Sequence, residues 1–154
     1  MENVIVRPAE KKDIQALAEI RVRFLHDLQY AVDDETCITQ TVHFLEEGFG
    51  CLVFGALAED AHRVLAAGLL LIQKRPYHPL AQKGWAGEII NMYTDPDVRG
   101  QGLGGQVLDA LIFKARELGV DKLFLNASEA GFHLYQSRGF VEAKPGHPMM
   151  ELRR

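Results

Sequence analysis

The sequence predicts a mixed α/β fold, a central sheet with helices on its faces, built as one domain over residues 1–154. Three observations carry this. Strand-length runs of apolar, aromatic and β-branched residues alternate with segments whose apolar residues recur every three or four positions. The run Leu69-Leu70-Leu71-Ile72 is continuously apolar, as in a strand buried on both faces. And the elements come in the order strand, two helices, three strands, helix, strand, helix, strands, with no linker, repeat or low-complexity segment between them.

Val4-Ile5-Val6 is a short first strand, ended by Arg7-Pro8. Asp13 is an acidic cap or first-turn residue for a helix that carries Ile14, Leu17, Ala18, Ile20, Phe24, Leu25 and Leu28 on one face. Gln29–Thr36 reads as irregular, and a second helix spans about Thr39 to Glu47, stopping at Gly48. Cys51–Ala58 and Val64–Gln73 read as strands joined by a hairpin connection. Lys74–Gly84, with Pro76 and Pro79, is a loop, and a central strand begins near Trp85. After a glycine-rich segment, Leu103, Val107, Leu111, Ala115 and Leu118 mark a long helix stopped by Gly119. Val120–Leu125 is a strand and Glu129–Ser137 a short helix. Phe140-Val141 and Met149–Leu152 read as a final strand pair around Lys144-Pro145-Gly146.

The chain is organised around Glu88–Gly105. Ile89, Ile90, Met92, Tyr93 and Thr94 continue the central strand, and Asp95-Pro96-Asp97 stops it, because proline has no N–H for a ladder. Arg99-Gly100-Gln101-Gly102-Leu103-Gly104-Gly105 then runs straight into the long helix. A glycine loop at a helix start gathers backbone N–H groups around one point and suits a phosphate. It is no P-loop, since Gln106-Val107 follows Gly105 where Lys-Ser or Lys-Thr is needed. The spacing Gly100-x-Gly102-x-x-Gly105 matches a dinucleotide fingerprint, but Asp-Pro-Asp-Val-Arg separates it from the strand. The next strand ends in Asn126 without the required acid, and too little chain remains for a doubly wound sheet.

Arg99-x-x-Gly102-x-Gly104 after a Pro-Asp-Val turn resembles the pyrophosphate loop of the GNAT superfamily of acyl-CoA N-acyltransferases. Asn126, followed by Tyr135-Gln136-Ser137-Arg138-Gly139-Phe140, is similar to that family's second coenzyme motif. The resemblance covers Glu88–Phe140. It implies a mostly antiparallel central sheet of six to seven strands with about four helices. The central strand and the strand after the long helix then splay into a V that admits coenzyme A. The implied activity is transfer of acetyl from acetyl-CoA, as co-substrate, to a primary amine by direct attack in a ternary complex. The implied coenzyme contacts are Met92, Tyr93, Thr94, Arg99, Gly100, Gln101, Gly102, Leu103, Gly104, Gly105, Asn126 and Tyr135.

Acyl transfer needs a neutral amine, a donor for the developing oxyanion and a proton for the leaving thiolate. Tyr135 has a phenol proton to give at neutral pH. Its other reading is a helix tyrosine packing one face. The resemblance makes Glu88, near the start of the strand, the candidate base, with a water chain as its substitute. A strand-end glutamate pairing with Lys83 is the bland alternative. Asn126 has both donor and acceptor for an amide-rich ligand, or caps a local turn.

Composition narrows the classes. A net charge of −4 argues against nucleic acid as a partner. No apolar run reaches the ~20 residues of a membrane helix. Met1–Ile5 has neither basic nor apolar signal character, which predicts a cytoplasmic protein. The two cysteines, Cys37 and Cys51, are expected as free thiols outside both motifs, and no histidine pair has metal-ligand spacing. The acceptor, a small molecule or a protein amine, would be shaped by the first two helices, Gln29–Thr36 and Lys74–Gly84. The family resemblance adds a possible homodimer. The rivals are a non-catalytic acyl-CoA sensor and a dinucleotide-binding oxidoreductase.

Overall fold

The computed structural model describes residues 3–143 and 146–154, so Met1 and Glu2 at the start, and Lys144 and Pro145 of the expected C-terminal turn, lie outside the described residues. Five strands form one sheet in chain order: β1 (Ile5–Pro8), β2 (Val53–Glu59), β3 (Val64–Lys74), β4 (Trp85–Thr94) and β5 (Lys122–Phe124). The first four pair antiparallel, and β5 joins β4 in parallel. The helices are α1 (Ile14–Asp27), α2 (Asp34–Gly48), α3 (Leu103–Glu117) and α4 (Phe132–Ser137).

The mixed, mostly antiparallel sheet and the four helices match the expectation; six to seven strands do not. The expected final pair is missing from the described residues. Val141, Met149, Met150 and Leu152 are 81% to 89% exposed, with no neighbouring strand in register. A strand without a ladder partner leaves its backbone groups to water. Phe140 instead packs edge-on against Tyr135, ring centroids 6.0 Å apart.

Apolar side chains leave both faces of the sheet, so the core has two halves. On one face Leu70 and Ile89 meet Val107, Leu108 and Leu111 of α3; on the other Leu57, Leu69 and Tyr93 meet Leu17 and Ile20 of α1 and Leu45 of α2. Leu69 and Leu70 thus face opposite layers, which is why the run in β3 is continuously apolar.

Asp13 stands at the N-cap position of α1, as expected, but its side chain makes no capping hydrogen bond to that helix. It ends a short 3-10 turn, accepts the Glu10 N–H at 2.7 Å and is gripped by the Arg7 guanidinium at 2.8 and 2.9 Å. The second helix begins at Asp34 and not near Thr39, because Asp33 accepts the Thr36 N–H at 3.3 Å and two acids follow in the first turn.

One irregularity sits in β4. Tyr93 opposes Ala67 but Ile90 opposes Leu69, so β4 carries an extra residue opposite Gly68. Asn91 takes φ +57° there, as the left-handed residue of a bulge. The bulge breaks the alternation: Ile89 and Met92 pack toward α3, whereas Ile90 and Asn91, adjacent in sequence, both turn toward α1.

Candidate active site

β4 and β5 pair over only three positions, Ala86–Lys122, Gly87–Leu123 and Glu88–Phe124. Past Glu88, β4 runs on to Thr94 while β5 has ended, so residues 89–94 have no ladder partner on that side. Glu88 stands at the apex of this fork. It is half-buried, on the α1 face, and its carboxylate has neither hydrogen bond nor ion pair among the described residues; the alternative pairing with Lys83 does not form.

The glycine loop closes the open end. Pro96–Val98 makes a 3-10 turn, and Gly102 caps α3 through its backbone at φ +85° with Gly100 at φ +78°. Both are left-handed positions that glycine fills at little cost. Gln106 N–H is taken by the Gly102 carbonyl at 3.1 Å, but the N–H groups of Gly100–Gly105 find no acceptor among the described residues. They add to the positive end of a 15-residue helix. Leu103 has a buried side chain and Gln101 an exposed one, so for Leu103 only the N–H is free for a ligand.

The last two glycines have a different reason. A Cβ at Gly104 would lie 3.2 Å from Thr94 Oγ1, and one at Gly105 2.7 Å from Arg138 Nη2 and 3.4 Å from Leu134 Cδ1. They let α4 and the end of β4 close on the start of α3. The Arg138 guanidinium then holds Asp109 of α3 at 3.0 and 3.1 Å. This packing brings the α4 helix, and with it Tyr135, beside the loop.

Tyr135 is nearly buried, with its ring against Gly131 and Phe140, and burial pushes its hydroxyl above the ordinary tyrosine range. The phenol is therefore protonated at neutral pH. Tyr93 is buried toward α1 and is likewise raised, first by burial and then by Asp95. Met92 packs over Gly68 toward Leu111, and Thr94 lies under Gly104. Asn126 is exposed, two residues past the end of β5.

Arg99 sits at the loop entrance, already engaged. Its Nε donates to the Thr94 carbonyl at 2.8 Å, Nη2 meets Asp27 at 2.9 Å, and the guanidinium lies 5.7 Å from the Tyr93 ring centroid. Sequence reasoning missed what stands around it. Asp95 is buried and takes Arg23 at 3.1 Å and Arg63, which also holds Asp97 at 2.6 Å. These ion pairs tie the loop to α1 and to the β2–β3 connection. Asn91 was missed too, although a lone polar residue inside Ile89-Ile90-Asn91-Met92-Tyr93 was its signal.

On the α1 side, a shallow, mainly apolar depression of about 350 Å³ is lined by Leu25, Tyr30, Val32, Asp33 and Cys37, in the segment expected to shape the acceptor. Both cysteines are free. Among the described residues no helix is long and apolar enough to cross a membrane, and no group of three histidine, cysteine or carboxylate side chains converges.

The sequence model of the Acetyltransferase (GNAT) family matches residues 14–140. A solved structure described as a predicted acetyltransferase with acetyl-CoA, from Clostridium acetobutylicum, superposes with a TM-score of 0.82 at 28% identity, covering 98% of this chain and 96% of that one. Glucosamine 6-phosphate N-acetyltransferase 1 of Oryza sativa subsp. japonica is 33% identical over 88 residues, 56% of this chain and 52% of the rice protein. Mycothiol acetyltransferase of Propionibacterium freudenreichii subsp. shermanii is 42% identical over 57 residues, 35% of this chain and 18% of that protein. The matches thus span about half of the first curated relative and under a fifth of the second.

Proposed function

The chain belongs to the GNAT family of acetyltransferases, and from that premise we propose that it transfers acetyl from acetyl-CoA to a primary amine by direct attack in a ternary complex. The observation that carries this reading is the run of unclaimed N–H groups from Gly100 to Gly105, set at the open end of the β4–β5 fork. Those donors suit the coenzyme pyrophosphate, and the fork suits the pantetheine arm, with Met92–Thr94 on one side and Asn126 on the other.

In this reading Glu88, uncommitted to any partner among the described residues, takes the proton of the incoming amine directly or through water. The amine nitrogen bonds the acetyl carbon, and the carbon–sulfur bond breaks. Tyr135, held protonated by burial, supplies the proton or hydrogen bond for the departing thiolate. The rice relative's name gives an amino sugar phosphate as an acceptor in the family; for this chain the acceptor is a small-molecule or protein amine.

Calorimetry with coenzyme A, beside turnover of acetyl-CoA with an amine panel, tests the reading. Gly100→Val with Gly102→Val adds bulk at the donors, where a Cβ has no neighbour within 4 Å among the described residues, and strains two left-handed positions, so coenzyme affinity falls while the fold persists. Normal coenzyme binding by the folded double variant overturns the site. Binding without turnover of any amine turns the chain into a coenzyme-binding sensor module.

A further inference from the structure

We propose that Arg21 and Asn91 form a subsite for an anionic oxygen group of the acceptor, so that the amine acetylated here also carries a carboxylate or a phosphate. The inference rests on the acetyl-transfer reading above and deepens it.

A buried orphan donor and an arginine without an ion-pair partner among the described residues lie side by side here. Asn91 is 2% exposed, and its Nδ2 is buried without a hydrogen-bond partner among the described residues. Such an orphan is uncommon, because a buried donor left unpaired forfeits the hydrogen bonds it had in water. Arg21, on α1, approaches the same amide with Nη1 3.4 Å from Oδ1, a distance at which a hydrogen bond is weak. Arg21 is half-buried over the Phe24 ring at 5.5 Å and has no carboxylate partner among the described residues. Arg23 and Arg99 close by are both ion-paired, so Asp95 and Asp27 are already neutralised and leave Arg21 for another anion.

The backbone points the same way. Only the bulge turns residue 91 toward α1, and its φ of +57° is one that glycine would hold with less strain. An asparagine there brings an amide the turn does not need. Glu88 lies on the same face, because its neighbours Gly87 and Ile89 pack toward α3. Three residues of strand separate the candidate base from the subsite by roughly 10 Å, which calls for an acceptor whose amine and anion are several bonds apart.

The experiment compares 4-aminobutyrate with butylamine, and 3-aminopropyl phosphate with 3-aminopropanol, in the wild type, Arg21→Gln and Asn91→Gly. Glycine keeps the left-handed backbone and deletes the amide. The wild type prefers the anionic member of at least one pair by kcat/KM, the pair showing whether carboxylate or phosphate is read. In either variant that preference falls roughly ten- to hundredfold through KM, as for loss of a charge-assisted hydrogen bond. The Asn91 side-chain amide signal in NMR, identified by its loss in Asn91→Gly, shifts with the anionic member and not with its neutral partner. No preference in the wild type, an equal slowing of both members in the variants, or no reaction and no shift at all overturns the subsite. Coenzyme A calorimetry on the same samples keeps that failure apart from failure of the parent reading.

Discussion

Arg99 and Asp27 form a 2.9 Å ion pair that links the glycine loop to the last residue of α1. The same guanidinium holds the Thr94 carbonyl, so one side chain ties the end of β4, the loop and a helix of the opposite layer. Both partners are near half exposed, so little global stability is at stake. Loop position is the quantity it controls. Arg99→Ala should weaken coenzyme A binding roughly three- to tenfold, and Asp27→Asn by part of that, for coupling near 1 kcal/mol. A double-mutant cycle read by calorimetry checks it. Strictly additive losses would mean that Arg99 meets the coenzyme independently of Asp27.

Tyr135→Phe keeps the ring against Gly131 and Phe140 and deletes only the hydroxyl. A positioned acid contributes about 10²–10⁴-fold to rate, so kcat should fall within that range in single-turnover measurements. Near wild-type rates would remove Tyr135 from the mechanism. The same variant carries a pH signature. The folded-state pKa is raised, so the protonated phenol contributes stability that is present in full below the unfolded value near 10 and is lost as pH rises through the folded value. The alkaline limb of the stability curve should therefore be shallower in Tyr135→Phe.

Glu88→Gln tests the base. The carboxylate at the fork apex has no partner among the described residues, so its replacement by an amide should leave the fold and coenzyme A affinity almost unchanged. The rate loss should be largest at low pH, where the least amine is unprotonated, and should shrink as pH rises. A pH–rate profile parallel to the wild type would make a water chain, or the amine's own equilibrium, sufficient.

Asp13→Asn probes the fold away from chemistry. The Arg7 guanidinium, first, and then the Glu10 N–H hold the Asp13 carboxylate below the usual range against the cost of burial. A depressed folded-state pKa gives stability that is present above the unfolded value of ~4 and lost as pH falls through the folded value. The variant should lose about 2 kcal/mol at neutral pH, the scale of a hydrogen bond to a charged group, and show a flatter acid limb. Urea titrations across pH 2–7 measure both, roughly spanning the carboxylate range.

The sequence by itself determined the glycine loop, its place between a strand and a long helix, and the Tyr135–Phe140 motif. These are local signals: Pro96 stops a ladder, glycines permit positive φ, and the Leu103–Leu118 stripe sets a helix face. Periodicity also gave a mixed sheet with helices on its faces, since it reports which residues leave water. Tertiary structure alone decided three things. It left Val141 and Met149–Leu152 without a strand partner among the described residues, because a strand exists only where a neighbour offers a ladder, and sequence does not name the neighbour. It separated the glycines, with Gly100 and Gly102 serving backbone conformation and Gly104 and Gly105 serving the approach of Thr94, Leu134 and Arg138. And it placed Arg21 against Asn91 across 70 residues, through a one-residue bulge that reverses a side chain. A period of two cannot anticipate the position where it breaks, so what gathers on the α1 face of β4 became visible only once the strands were in register.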